Sequence, residues 1–407
     1  MLFRFSLYGF LKNQQYYEPF LILAFLEKGL SYFSIGILIA FREILINLFE
    51  IPSGAVADLW GRRRSLILSF SAYIFSFVIF AVSTEYWHFF PAMFCFAIGE
   101  AFRTGTHKAM IFHWLKLENR LDERTRVYGF TRSWSKYGSA LSALIAGALV
   151  FYSGNYTAIF WFSTIPFILG IINMFSYPKE LDLERPAAFS VKESISVMLK
   201  VIVQSLKHQK LRGIFFESMG FVGYFETIKD YIQPMLMSIA MALPIFLAYQ
   251  DSKRTAILIA IVYFVLFLLS ALASRYAHVI TVRQGGEEKA SRWLWQVTLL
   301  LFLFMLPALI FKWYILAALS FVVLYLLQNV WIPLQMTRID HTSDSSMGAT
   351  VLSIEQQGRS VFTMLAAPLL GICVDKAGFW PIGAAGLLIS LAFYIRSRTT
   401  NEYQAGV

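Results

Sequence analysis

Charged residues are scarce in this 407-residue sequence. Asp, Glu, Lys and Arg make up 15% of it, while 57% is apolar. Water-soluble domains carry roughly a quarter of their residues as charge, so this composition excludes an ordinary soluble fold. Cysteine is scarcer still. Cys95 and Cys373 are the only two. Both lie in apolar runs, which excludes a disulfide framework and a thiolate metal site. No Gly-x-x-x-x-Gly-Lys-Ser/Thr run occurs, so ATP is not expected to supply energy. His107 and His113 are six residues apart, which does not place two ligands on one helical face as i, i+4 would. A metal would need partners from other helices; no bound metal and no cofactor are expected, and the chain is not read as an enzyme. The first residues lack a signal-peptide pattern with a small-residue cleavage site, so the first helix is expected to be retained.

Long apolar runs occupy most of the rest. Windows of about 20 apolar residues mark membrane spans. They predict spans 1 to 6 at 5–26, 35–57, 65–83, 88–115, 127–152 and 156–177. Spans 7 to 12 are predicted at 211–240, 255–274, 293–311, 313–336, 347–373 and 378–396. A polar connector over 178–210 divides a half at 1–177 from a half at 211–407. The expected fold is an all-α integral membrane protein of twelve transmembrane helices in two six-helix bundles. A net charge of +10 could suit nucleic acid, but the basic residues fall mainly in loops on one side. That points to topology and anionic lipid, with both termini cytoplasmic and no nucleic-acid partner.

The halves echo each other. Tyr16-Tyr-Glu-Pro19-Phe-Leu21 matches Tyr231-Ile-Gln-Pro234-Met-Leu236, and Gly147 and Gly154 match Gly371 and Gly378. Both matches fall where a six-helix duplication puts them, so the bundles are expected to be pseudo-symmetric.

Charge inside a membrane is costly and marks function by default. Spans 3, 6, 9 and 12 have essentially none in their cores; spans 1, 2, 4, 5, 7 and 11 hold nearly all of it. Span 1 carries Lys12, Gln14, Gln15 and Glu18, with Gln14 and Glu18 on one face at i, i+4. Span 2 carries Arg42, Glu43 and Glu50. In span 4, Glu100, Arg103 and His107 stack at i, i+3 and i+7; in span 5, Arg132 and Lys136 stand at i, i+4. Span 7 carries Glu226, Lys229, Asp230 and Gln233, span 10 offers Gln328 and Asn329, and span 11 has Glu355 and Arg359 at i, i+4. A carboxylate in desolvated surroundings can exchange a proton near neutral pH. Glu100, Glu226 and Glu18 are the candidates for that role. Arg103, Arg132 and Lys136 are candidates to hold a negative group on a solute. Lys12, Gln15, His107, Lys229, Asp230, Gln328, Asn329, Glu355 and Arg359 complete the candidate binding set. The competing reading of each pair is an ion pair that only fixes helix packing.

Between spans 2 and 3 lies Gly54-Ala-Val-Ala-Asp58-Leu-Trp-Gly61-Arg62-Arg63-Arg64. Gly54 suits close helix approach, Asp58 can pair with the arginines or with a helix N-terminus, and Gly61 can supply a positive φ. The run resembles the signature loop of the major facilitator superfamily. Gly54, Asp58, Gly61, Arg62 and Arg63 match; Leu59 departs, since the family usually has a basic residue there. The resemblance implies the twelve-helix fold, with the third helix of each triplet facing lipid, and a loop that acts as a latch between conformations. It implies transport without naming the cargo. Glu50-Ile-Pro52-Ser-Gly54 and the stretch from Phe102 to Leu115 also resemble a bacterial, permease-like subgroup of that family, which implies the inner membrane. In that subgroup the latter stretch tends to be acidic; here His107, Lys108 and His113 replace that character, which speaks against a cationic drug. The Gly-Pro-plus-Gly-Gly motif of drug/proton antiporters is absent from span 5.

The leading expectation is a monomeric secondary transporter, working by alternating access on a small polar, anionic or zwitterionic solute with protons as the coupling ion. Open alternatives are an exporter of drugs, amphiphiles or metal chelates, a lipid flippase, and a membrane sensor or scaffold that does not transport.

Overall fold

A computed structural model describes residues 1–182, 207–343 and 348–405. Among these residues every regular element is helical. Eight helices are long and apolar enough to cross a membrane. They are α3 (Tyr32–Trp60), α4 (Arg62–Val82), α8 (Ala158–Phe175), α12 (Asp251–Gln284), α13 (Glu287–Ile310), α14 (Tyr314–Thr342), α15 (Gly348–Ala377) and α16 (Trp380–Ala405). They correspond to predicted spans 2, 3, 6 and 8 to 12.

The remaining predicted spans, 1, 4, 5 and 7, are helical but fall short of that mark. Span 5 is the single helix α7 (Arg124–Ser153); its small and polar residues keep it less apolar. Spans 1, 4 and 7 are interrupted. Span 1 is α1 (Leu2–Lys12) and α2 (Leu21–Glu27), joined through a 3-10 turn at Glu18–Phe20. Span 4 is α5 (Phe89–Arg103) and α6 (Thr106–Leu117), parted at Thr104 and Gly105. Span 7 runs α9 (Gln209–Ser218), a π turn at Met219–Gly223, α10 (Tyr224–Ile228), a 3-10 turn at Lys229–Tyr231 and α11 (Ile232–Ala242).

Local chemistry explains the interruptions. The polar run after Leu11 competes with helix for backbone groups: Asn13 Nδ2 donates to the Gly9 carbonyl at 2.7 Å and Gln14 Nε2 to the Gly138 carbonyl at 3.0 Å. Pro19, which lacks an N–H, then opens the next segment. Gln14 and Glu18 therefore do not share one continuous helical face, contrary to the spacing argument. In span 4, Gly105 adopts φ +75°, outside the right-handed helix. Pro234 sits in the first turn of α11, just past the 3-10 turn. The Tyr-x-x-Pro-x-Leu echo thus marks the interruption in both halves. In a membrane, interrupted backbone must be satisfied by side chains or face a cavity.

The glycine echo is also physical. A Cβ on Gly371 would lie 2.8 Å from Phe33 Cα, and one on Gly147 would collide with Ala260 Cβ, so both permit close helix approach. Gly154 and Gly378, seven residues on, take φ +76° and +78° and terminate α7 and α15.

By internal contacts the chain forms two units. The first comprises Met1–Leu30, Phe41–Ser196 and Phe246–Phe267; the second comprises Ser31–Ala40, Val197–Ile245 and Leu268–Val407. In the first, α4 packs on α5 and α8, and α1 packs on α7 and α8. Tyr8, Phe70, Tyr73, Phe77 and Phe80 fill its interior. In the second, α13 packs on α14 and α16 around Phe221, Trp295 and Trp331, with Phe221 and Trp331 stacked at 4.6 Å. Most of the predicted connector, 183–206, lies outside the described residues.

Candidate functional site

The first unit gathers its charge where α5 stops. Glu100 and Arg103, one turn apart, form an ion pair. The Tyr73 hydroxyl of α4 donates to the other Glu100 oxygen, and Arg103 Nε donates to that hydroxyl at 3.4 Å. Both carboxylate oxygens are thereby engaged. Arg42 binds Glu43 through Nη2 at 2.7 Å and Nε at 3.1 Å. His107 begins beyond the interruption and turns into the packed interior. Its ring stacks on Tyr8 at 3.7 Å, and Nε2 lies 3.2 Å from the Tyr177 hydroxyl. That hydroxyl also lies 3.1 Å from the Arg4 carbonyl, which accepts from Asn173 Nδ2 at 3.0 Å. His107 is therefore separated from the Glu100–Arg103 pair that its spacing would stack it on.

Lys12, the last residue of α1, lies within electrostatic reach of Arg103, Glu100 and Arg132. Arg132 and Lys136 stand one turn apart on α7. Gln15 is half-buried in the interruption of span 1, and Glu18 begins the 3-10 turn after it.

The second unit holds a counterpart. Lys229 Nζ and Gln328 Nε2 each donate to Glu226 at 2.8 Å. The pair sits at the 3-10 turn of span 7, as the Glu100–Arg103 pair sits at the interruption of span 4. Gln233 donates to Asp230 at 3.4 Å. Glu355 accepts from Arg359 at 2.7 Å and from the Ser218 hydroxyl. Asn329 does not join this group, for its amide donates to the Tyr325 carbonyl of its own helix at 2.8 Å.

Sequence spacing missed a buried network in the second unit. Arg338 is 4% exposed and bridges Glu217 and Glu288, at 2.6 Å each. The Ser291 hydroxyl donates to Glu217 at 2.9 Å, and Arg338 also reaches Gln335 Oε1 at 3.1 Å. The partners come from α9, α13 and α14, so no local spacing signals them. Tyr73 was missed for the same reason.

At the turn between α3 and α4, Gly61 alone makes the connection, with φ +100°. Arg63 donates its backbone N–H to Asp182 at 2.7 Å, and its guanidinium pairs with the same carboxylate, Nε lying 3.2 Å from Oδ2. Asp182, far along the chain, thus caps the N-terminus of α4. Arg62 reaches the Ala109 carbonyl at 3.4 Å. Gly54 is exposed, with nothing within 4 Å of where its Cβ would be, so no close helix approach is made there. Asp58 falls inside α3; its side chain lies outside the described residues. Among the described residues no group of three or more His, Cys, Asp or Glu side chains is placed to hold a metal ion.

Known proteins place this geometry in a family. The chain is similar in fold to the solved nucleoside transporter NupG, with a TM-score of 0.75, 13% identity and 98% of both chains covered. It is similar to a peptide transporter POT solved with sulfate, at a TM-score of 0.70 and 13% identity, covering 98% of this chain and 94% of that one. A POT family transporter solved with a thioalcohol-conjugated peptide gives a TM-score of 0.72 and 14% identity, over 98% and 96% of the two chains. No curated protein matches in a sequence comparison. The profile described as Major Facilitator Superfamily matches residues 13–366. With that match over most of its length, a helical fold shared with solved transporters and eight apolar helices long enough to span a membrane, this multi-pass integral membrane chain belongs to the Major Facilitator Superfamily.

Proposed function

We propose that the chain is a proton-coupled secondary transporter of a small polar solute, anionic or zwitterionic, working by alternating access. One observation carries this reading: each unit holds a carboxylate paired with a cation one turn on, at an interrupted helix. Glu100 pairs with Arg103 beside the Thr104–Gly105 interruption, and Glu226 with Lys229 at the 3-10 turn. An intramembrane ion pair that served packing alone would not need to sit where the backbone opens. When solute draws the cation away, the carboxylate loses its partner and takes up a proton. Cargo binding and protonation are then linked through Glu100 or Glu226, with Glu18 as a third candidate.

The solved relatives carry nucleosides and peptides, polar cargoes of the size this reading requires. The basic loops favour both termini cytoplasmic; the permease-like resemblance favours a bacterial inner membrane, and the polar connector favours bundles at 1–177 and 211–407. The Gly54 to Arg63 turn acts as the latch between conformations.

The test uses purified protein in liposomes and the labelled solute that most raises its melting temperature in a metabolite panel. Glu100→Gln or Glu226→Gln abolishes accumulation driven by a pH gradient and leaves counterflow intact. If both variants accumulate solute with the wild-type pH dependence, the pairs are structural and the coupling assignment fails. If no solute shows counterflow with the wild-type protein, the sensor reading replaces transport.

A further inference from the structure

The cations of the first unit are not all balanced. Arg103 is held by Glu100 and Arg42 by Glu43. Lys12, Arg132 and Lys136 have no carboxylate within ion-pair distance among the described residues. Lys12 rests its Nζ 6.0 Å above the Tyr8 ring. The nearest carboxylate to act on it, Glu100, already has both oxygens engaged by Arg103 and Tyr73. Lys136 feels Arg132 and no carboxylate.

The packing of α1 on α7 brings the three together. A Cβ on Gly9 would lie 2.8 Å from Ser135 Oγ and 3.0 Å from the Thr131 carbonyl, and one on Gly138 would meet Phe10 Cα at 3.2 Å. The helices therefore touch backbone to backbone, with Lys12 one turn beyond Gly9 and with Arg132 and Lys136 flanking the same contact. Arg132 is exposed and Lys136 and Lys12 are half-buried; close approach of like charges is unfavourable unless a counter-charge arrives. Gln14, two residues past Lys12, ties the two helices together: it is 2% exposed and its Nε2 donates to the Gly138 carbonyl of α7 at 3.0 Å.

Resting on the transport reading above, we propose that Lys12, Arg132 and Lys136 form a subsite for a doubly charged anionic group, a phosphate monoester or a paired dicarboxylate. One negative charge leaves two cations unanswered; two charges leave one, and the several oxygens that carry them can contact all three. Arg132 supplies a planar fork that matches such oxygens bidentately, and the two lysines add point charges. A phosphate monoester can come from a soluble metabolite or from a lipid headgroup, and the recognition chemistry is the same.

The test is equilibrium binding to full-length protein in neutral detergent, with ionic strength held constant by potassium chloride. The probes are glycerol 3-phosphate and succinate, set against the singly charged lactate and succinamate. A lipid arm compares phosphatidic acid with phosphatidylcholine in mixed micelles. At least one dianion is expected to raise the melting temperature while its monoanionic counterpart does not. Arg132→Gln and Lys136→Gln should each weaken that binding at least about tenfold, the loss of one charge-assisted hydrogen bond. Lys136→Arg should retain most of it and Arg132→Lys, which keeps the charge but loses the fork, only part, which separates charge from folding. A shift with phosphatidic acid alone keeps the subsite and assigns the dianion to lipid. Equal response to monoanions, no response to any dianion, or unchanged affinity in both Gln variants overturns the subsite. Dianion binding without counterflow in liposomes would defeat the transport reading and leave the subsite standing.

Discussion

The two units differ in how their charged side chains are paired. In the second, each ion pair or network is closed within the unit: Glu226 with Lys229 and Gln328, Glu355 with Arg359 and Ser218, Arg338 with Glu217 and Glu288. In the first, Glu100 with Arg103, Glu43 with Arg42 and Asp182 with Arg63 close in the same manner, while Lys12, Arg132 and Lys136 have no carboxylate at ion-pair distance among the described residues. A closed ion pair can fix packing and can also exchange a proton when disturbed. Cations without counter-charges fix nothing, because their mutual repulsion opposes folding. In the reading proposed above, the surplus serves binding, and the closed pairs serve architecture and coupling. The interrupted helices agree with this division. They occur in spans 1, 4 and 7, which carry Lys12, Glu100 and Glu226, and not in the uncharged spans 3, 6, 9 and 12.

The contrast can be broken most forcefully at Arg338. Arg338→Met strands Glu217 and Glu288 and should destabilise the protein by about 3–5 kcal/mol, the cost of removing one partner of a buried pair. Chemical denaturation in detergent measures it, and Glu217→Gln in the same chain should restore part of the loss. A variant as stable as the parent would remove the architectural role of the network.

Asp182→Ala tests a closed pair in the first unit. It removes the cap of α4 and the partner of Arg63, and about 1 kcal/mol of stability should go with them. An unchanged midpoint would show that another group takes over the cap.

The smallest effect is expected at the surplus cations. Arg132→Gln and Lys136→Gln should move the unfolding free energy of ligand-free protein by no more than ~0.5 kcal/mol, in either direction. Destabilisation on the scale of Arg338→Met would mean these cations have partners after all, and the contrast between the units would vanish.

Much of the candidate site was legible wherever partners are local. Glu100 with Arg103, Glu226 with Lys229 and Glu355 with Arg359 stand at i, i+3 or i+4, and one turn of helix brings each pair together. The reach of such spacing ends where the helix ends. Glu100, Arg103 and His107 fit one stripe on paper, yet Gly105 turns the chain and sends His107 to Tyr8 and Tyr177. The Tyr-x-x-Pro repeat was visible as an echo, and its meaning as a pair of helix interruptions was not. A proline can kink a helix, cap one or open one, and the neighbouring carbonyls decide which.

The amino-acid order by itself determined the solvent this protein lives in, its helical class and its family. These follow from hydropathy summed over windows of about 20 residues and from the Gly-Asp-Gly-Arg-Arg turn, which are properties of adjacent residues. Tertiary structure alone decided how the charges without a partner one turn away are satisfied. Asp182 reaches Arg63 across more than a hundred residues, Arg338 gathers carboxylates from two other helices, and Tyr73 crosses from α4 to Glu100. Whether a buried charge is closed or open depends on what other helices bring within about 4 Å, and a one-dimensional pattern carries no information about that distance.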